Sequence, residues 1–147
     1  MDPHDILQGY LDATGGATLA GDWDAYRAAV RLPFVLDTDR GELAVATEAE
    51  LRVGFDQFHA MLKGLGVTDY IRLVREARVV GPGRVEGTFE THLIAHSGQR
   101  IVPPFLSTLT LRETGGRWLG ERSRARLLNP RWPIGIPLPA GRSGTEG

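Results

Sequence analysis

Apolar residues recur at helical spacing in the first part of the chain and at every second position in the later part, so helices should precede strands. Ile6, Leu7, Tyr10, Leu11 and Thr14 share one helical face. Asp2 before Pro3 supplies the start: a side-chain acceptor for orphan amides, then a residue whose fixed φ suits a first turn. Gly15-Gly16 weakens that helix and predicts a kink or a new direction. Gly21-Asp22 ends the segment and caps a shorter helix from Trp23 to about Val30, stopped by Pro33.

Phe34–Asp37 and Leu43–Ala46 flank Thr38-Asp39-Arg40-Gly41-Glu42 and read as a short hairpin. Thr47 and Glu50 then have capping-box spacing, opening a third helix whose stripe of Leu51, Phe55, Phe58, Leu62 and Leu65 ends before Gly66. From Tyr70 the period becomes two. Four strands are expected, Tyr70–Val80, Arg84–His96, Arg100–Glu113 and Arg117–Leu128, joined as a meander through Gly81-Pro82-Gly83, Ser97-Gly98 and Gly115-Gly116. Pro103-Pro104 cannot donate ladder bonds, which places the regular start of the third of these strands at Phe105.

Residues 129–139 are rich in proline, yet Trp132, Ile134, Ile136 and Leu138 alternate along them. That pattern predicts a segment packed in a groove, with 140–147 disordered. The expected organisation is a single pocket domain over 1–128 followed by a C-terminal extension over 129–147.

Composition narrows the function classes. A formal charge of -1 gives no field for phosphate backbones or acidic membranes, so neither nucleic acid nor membrane is an expected partner. The chain has no cysteine, which removes disulfides, thiolate metal sites and thiol nucleophiles. No phosphate-binding glycine loop, metal-spaced histidine pair or Gly-x-Ser-x-Gly elbow occurs, and no cofactor is expected. The N-terminus lacks a secretory pattern, and the expected location is the cytoplasm.

Ala20-Gly21-Asp22-Trp23-Asp24, Leu32-Pro33-Phe34 before the first strand and Gly116-Arg117-Trp118 opening the last one carry a family resemblance. Over residues 4–128 the order of elements resembles the nuclear transport factor 2-like (NTF2-like) superfamily, which includes ketosteroid isomerase, scytalone dehydratase, limonene epoxide hydrolase and SnoaL-like polyketide cyclases. The resemblance implies an α+β fold: a cone-like curved antiparallel sheet with N-terminal helices over its concave face, enclosing a pocket. A homodimer formed through the outer sheet face is expected, because Trp118, Thr108 and Thr110 offer a flat surface there. Aligned from Gly-Asp-x-Asp, the ketosteroid isomerase tyrosine, general base and protonated aspartate fall near Thr14, Thr38 and Ser107. None of the three residue types is kept, which argues against that mechanism. Asp37 and Asp39, on either side of Thr38, either point into the pocket or lie on the solvent side of the turn.

Strand alternation assigns faces. Val85, Gly87, Phe89, Thr91 and Leu93 should face the helices, as should Phe105, Ser107, Leu109 and Leu111. His92 should lie outside among charges. For the first long strand the inner set is read as Ile71, Leu73, Arg75, Ala77 and Val79, and for the last as Leu119, Glu121, Ser123, Ala125 and Leu127. Arg75, Phe89, Ser107 and Ser123 then form one cross-strand row. Alternatively, Arg75 and Glu121 pair internally, or a bulge turns one of them out. Trp118, Thr108 and Thr110 are read as an outer surface suited to dimerisation.

The expected function is binding of an apolar small molecule in a SnoaL-like pocket walled by Trp23, Phe34, Phe55, Phe58, Phe89 and Phe105, with Ser107 and Arg75 as polar contacts. Such a pocket suits a cofactor-independent isomerase, cyclase or dehydratase. Glu121, desolvated among apolar neighbours, and His59, one step off the third helix's stripe, are the acid-base candidates. A boundary histidine bonded to backbone is the other reading of His59. The alternative function is a non-catalytic dimeric interaction or ligand-carrier module.

Overall fold

A computed structural model describes residues 2–38 and 41–125. The expectations for Asp39, for the last strand's continuation to Leu128 and for the 129–147 extension lie outside the described residues. The elements run α1 (Pro3–Ala20), α2 (Trp23–Ala28), β1 (Val30–Thr38), β2 (Gly41–Val45), α3 (Glu48–Gly64), β3 (Val67–Gly81), β4 (Arg84–Ala95), β5 (Phe105–Thr114) and β6 (Arg117–Ala125).

Asp2 caps α1 by accepting from the His4 N–H at 2.8 Å. The helix then runs unbroken through Gly15-Gly16 and ends at Gly21, whose φ of 77° closes it in the left-handed region. The kink expected at the glycines is absent, because Leu7, Leu11, Thr14 and Gly15 are buried together along this one helix. Tertiary packing outweighs the ~1 kcal/mol propensity cost of a glycine. The α2 helix stops at Ala28, earlier than expected, and β1 starts at Val30. Val30 is drawn into a cluster with Val45 and Leu51. Pro33 is accommodated inside β1, where the pairing with β6 is irregular between Val30 and Val35.

The capping box of α3 forms. Thr47 Oγ1 accepts from the Glu50 N–H at 3.1 Å, and Glu50 Oε1 accepts from the Thr47 N–H at 3.1 Å. Amide donation from Ala46 and Thr47 holds the Glu50 carboxyl below the usual carboxylate range. Leu51, Phe55 and Leu62 are buried, and Phe58 packs half-buried against the Val67 and Leu93 cluster.

The strands form one curved, unclosed sheet of order β2-β1-β6-β5-β4-β3. The β3-to-β6 meander is antiparallel throughout, and β1 joins β6 in parallel. The inner set of β4 is buried as expected, as are Ser107, Leu109 and Leu111 of β5. Gly87 marks the closest approach of α1, since a Cβ there would collide with the Leu7 side chain and the Glu76 carbonyl.

The faces of β3 and β6 differ from those expected. Pairing sets Tyr70 against Leu93, Arg72 against Thr91 and Val74 against Phe89. Residues directly opposite share a face, so Tyr70, Arg72 and Val74 point to the helices and Ile71 and Leu73 to the outside, while Val79, opposite Val85, keeps the inner face expected for it and is nonetheless exposed. A register shift between Val74 and Glu76 makes Arg75 the extra residue of a bulge, which returns Ala77 to the inner side. In β6 Gly120 pairs with Leu111 and Arg122 with Thr110, leaving Glu121 as the bulged residue. Trp118 correspondingly packs on the Leu7, Leu11 and Phe89 core and does not lie on the outer surface. Among the described residues no helix is long and apolar enough to cross a membrane.

Candidate functional site

The helices cover the inner sheet face without sealing it. Phe34, Tyr70, Arg72 and Phe105 turn toward the helices and Phe58 of α3 turns toward the sheet, yet each is only half-buried. Above them, α2 and α3 hold an aromatic cluster. Phe55 lies 5.5 Å from Trp23 and 4.8 Å from Tyr26 between ring centroids, and Arg52 sits over the Trp23 ring. Phe58 reaches down to Tyr70 at 5.7 Å. Trp23, Phe34, Phe55, Phe58, Phe89 and Phe105, named from sequence as the wall, therefore belong to the helices or the inner sheet face.

Three phenols and one guanidinium occupy this interior. Tyr10 donates to the Ala29 carbonyl at 2.8 Å, and the Gly120 N–H donates to the same oxygen at 2.9 Å. Gly120 is required there because a Cβ would collide with the Tyr10 hydroxyl. Burial raises the Tyr10 pKa, reinforced by Tyr26. Tyr26 is likewise pushed up to about 12, first by burial and then by Tyr70, with the Arg72 charge opposing. Neither the Tyr26 nor the Tyr70 hydroxyl donates to a described residue.

Arg72 enters from β3 and lies flat against α1 where Gly15 leaves room. Its Nη2 donates to the Leu11 carbonyl at 2.8 Å and to Thr14 Oγ1 at 2.7 Å. Its carbon centre is 4.8 Å from the Tyr70 ring centroid and 5.8 Å from that of Phe89. Nε is buried without a hydrogen-bond partner. Sequence alternation missed Arg72 because it assigned the opposite face of β3. The signal available was pairing with β4, whose own faces were unambiguous.

The proposed acid-base residues lie elsewhere. Glu121 projects from its bulge onto the convex face, where its carboxylate meets Arg112 at 2.7 Å, Arg84 at 3.0 Å and Arg31 at 3.5 Å. It is not desolvated among apolar groups, and its role is that of counter-ion to three arginines. Arg75 is also convex, paired with Glu90 at 2.8 Å, and His92 shares that carboxylate at 3.2 Å. The expected row therefore reads Val74, Phe89, Ser107 and Ala125. His59 Nδ1 lies 2.9 Å from the Thr18 carbonyl, tying α3 to α1, which is the boundary reading of that residue. Asp37 is held by Arg122 at 2.6 Å, with Glu42 as that arginine's second partner. The two acidic groups raise the Arg122 pKa further. Ser107 is buried on the inner face directly opposite Phe89. Among the described residues, no group of three or more His, Asp or Glu is placed to hold a metal ion.

A helix-capped, unclosed cone of this kind defines an α+β class that solved structures share. An Rd1NTF2 variant superposes with a TM-score of 0.63 over 84% of this chain and 99% of its own, at 14% identity. An NTF2-like protein of unknown function from Shewanella oneidensis gives 0.59 over 84% and 98%, at 16% identity. A protein from Novosphingobium aromaticivorans, provisionally named an aromatic ring hydroxylase, gives 0.58 over 87% and 90%, at 16% identity. The chain has the NTF2-like fold. No protein-family model matches it, and neither does any curated protein.

Proposed function

We propose that the chain is a small-molecule-binding protein of SnoaL-like kind that holds its ligand between α1, α3 and the inner face of β3 to β5, with no cofactor. The observation that supports this most is the half-burial of Phe58, Tyr70, Arg72 and Phe105, which turn inward and still meet solvent. Tyr26 adds to it: enclosed enough for burial to raise its pKa, it keeps a hydroxyl that donates to nothing described. An apolar cup with a few convergent polar groups is the general form of a ligand site. Binding is favoured over acid-base catalysis, because Glu121 is neutralised by arginines and His59 is engaged with backbone.

We propose further that the protein works in the cytoplasm as a homodimer joined through the convex face. Ile71, Leu73 and Leu106 are exposed there around Glu90. Native mass spectrometry of freshly purified protein tests both readings, with a co-purifying small molecule and a dimer mass expected. A crystal structure whose inner face is filled by the protein's own side chains would sink the binding reading, and a monomer at micromolar concentration would sink the dimer.

A further inference from the structure

Among the described residues, every half-buried arginine except one pairs with a carboxylate. Arg27 pairs with Glu48, Arg84 and Arg112 with Glu121, and Arg122 with Asp37 and Glu42. Arg72 pairs with none of the described acidic residues. A guanidinium cannot shed its proton in a protein, so burial does not neutralise it. Taking such a charge out of water is costly unless an anion or a full set of hydrogen bonds compensates it.

The compensation present is partial. Of the five N–H groups of a guanidinium, Nη2 uses two, on the Leu11 carbonyl and Thr14, while Nε is buried and unpartnered. The rings of Tyr70 and Phe89 stabilise the cation through their faces but carry no negative charge. Among the described residues, no carboxylate stands near enough to help. The acidic residues of α1, α2 and α3 are exposed, as are Asp69 and Glu76 of β3, and Glu86, Glu90 and Glu121 pair with arginines of the convex face. The interior thus holds a half-buried cation with a buried, unpartnered Nε, set against the Tyr70 and Phe89 rings.

We infer that the ligand is an anion with an aromatic or similarly flat apolar body, a small aromatic carboxylate, whose charged end lies against Arg72 and the free tyrosine hydroxyls. This rests on the ligand-binding reading and replaces the neutral apolar ligand expected from sequence. The carboxylate supplies the missing counter-charge, and the ring takes its place among Phe58, Tyr70, Phe89 and Phe105. Selectivity follows from the same imbalance: a neutral isostere leaves the cation uncompensated, while a cationic ligand adds repulsion.

Calorimetric titration of the full chain with matched pairs, benzoate against benzamide and 2-naphthoate against 2-naphthamide, separates the two levels of the proposal. The carboxylate of each pair is expected to bind at least tenfold more tightly than its amide. Arg72→Met should abolish that preference, bringing each carboxylate down to the affinity of its amide. Arg72→Lys, which keeps the charge should the methionine variant fail to fold, should retain a reduced preference. Equal affinity within each pair in the unsubstituted protein would overturn the anionic assignment and leave ligand binding standing. A preference that survives intact in Arg72→Met would overturn the role of Arg72. No binding by any of the four compounds would overturn the ligand-binding reading itself.

Discussion

The two faces of one sheet run on different physics. On the convex face, Arg75, Arg78, Arg84, Arg112 and Arg122 each meet a carboxylate, and apolar residues such as Leu73 stand in solvent. On the helix-covered face, Leu7, Leu11, Leu93 and Leu111 are sealed, and Arg72 has no acidic partner among the described residues. Charge on the outside is balanced locally within the sheet and needs no ligand. Charge on the inside is left unbalanced, which is where a functional demand shows against a background of satisfied groups.

The sharpest test of this contrast uses two leucines on neighbouring strands. Leu93 of β4 is 0% exposed and Leu73 of β3 is 47% exposed. Leu93→Ala should destabilise by about 3 kcal/mol, because it removes buried methylenes and leaves a cavity. Leu73→Ala should cost under about 1 kcal/mol. Urea midpoints measured at equal slope would check both, and similar losses would show that the faces of β3 are misassigned.

The next effect lies in the alkaline range. Folding favours the protonated phenols of Tyr10 and Tyr26, whose pKa values burial raises, so their contribution is complete below the unfolded value near pH 10. It is lost as pH rises through 10 toward 12, where the unfolded chain releases protons that the folded chain keeps. The loss from Tyr26 should be on the order of 2 kcal/mol across that window. Tyr26→Phe should flatten the fall, and Tyr10 should account for the slope that remains. Identical slopes in the two proteins between pH 9.5 and 11.5 would remove Tyr26 from the account.

Outer electrostatics should matter less. Glu121→Gln leaves Arg31, Arg84 and Arg112 without their shared carboxylate and should cost about 1.5 kcal/mol. Ligand affinity should not change, since Glu121 lies on the opposite side of the sheet from Arg72. A large loss of binding with an unchanged melting temperature would restore Glu121 as a site residue.

How much of this was legible in the sequence depended on the regularity of each strand. In β4 charged or polar residues alternate with apolar or small ones, and in β5 Thr108 and Thr110 alternate with Leu109 and Leu111, so faces read correctly from Val85 to Leu93 and from Ser107 to Leu111. β3 has apolar residues on both sides of its alternation: Tyr70 and Val74 compete with Ile71, Leu73 and Val79. The choice between the two sets is made by register with β4, a non-local fact. β6 was misread through its bulge, since an extra residue at Glu121 puts the parity of Trp118 and Gly120 out of step with that of Ser123. That the aromatic residues fall on the helices or the inner sheet face was legible because large apolar residues have few other places to go. Arg72 was not, because an inward-facing cation contradicts the pattern by which faces are assigned.

The smallest expected effect is at Arg75, and it bears directly on that misreading. As an inner-face residue Arg75 would be a desolvated charge, and truncation would cost several kcal/mol by stranding its partner. As the bulged residue it is a surface cation, 59% exposed, with Glu90 at 2.8 Å. Exposed pairs of this kind contribute about 0 to 1 kcal/mol, because water screens the attraction and holding two side chains together costs entropy. His92 Nε2 also reaches Glu90 Oε1, so the carboxylate keeps a partner when Arg75 is removed. Arg75→Ala should therefore shift stability by less than about 0.5 kcal/mol, most visibly at low ionic strength and vanishing near 1 M salt. It should leave the carboxylate preference of the interior intact, whereas Arg72→Met should erase it. Two arginines three residues apart would thus respond in opposite ways, and equal responses in stability and binding would mean that β3 does not divide them between the two faces.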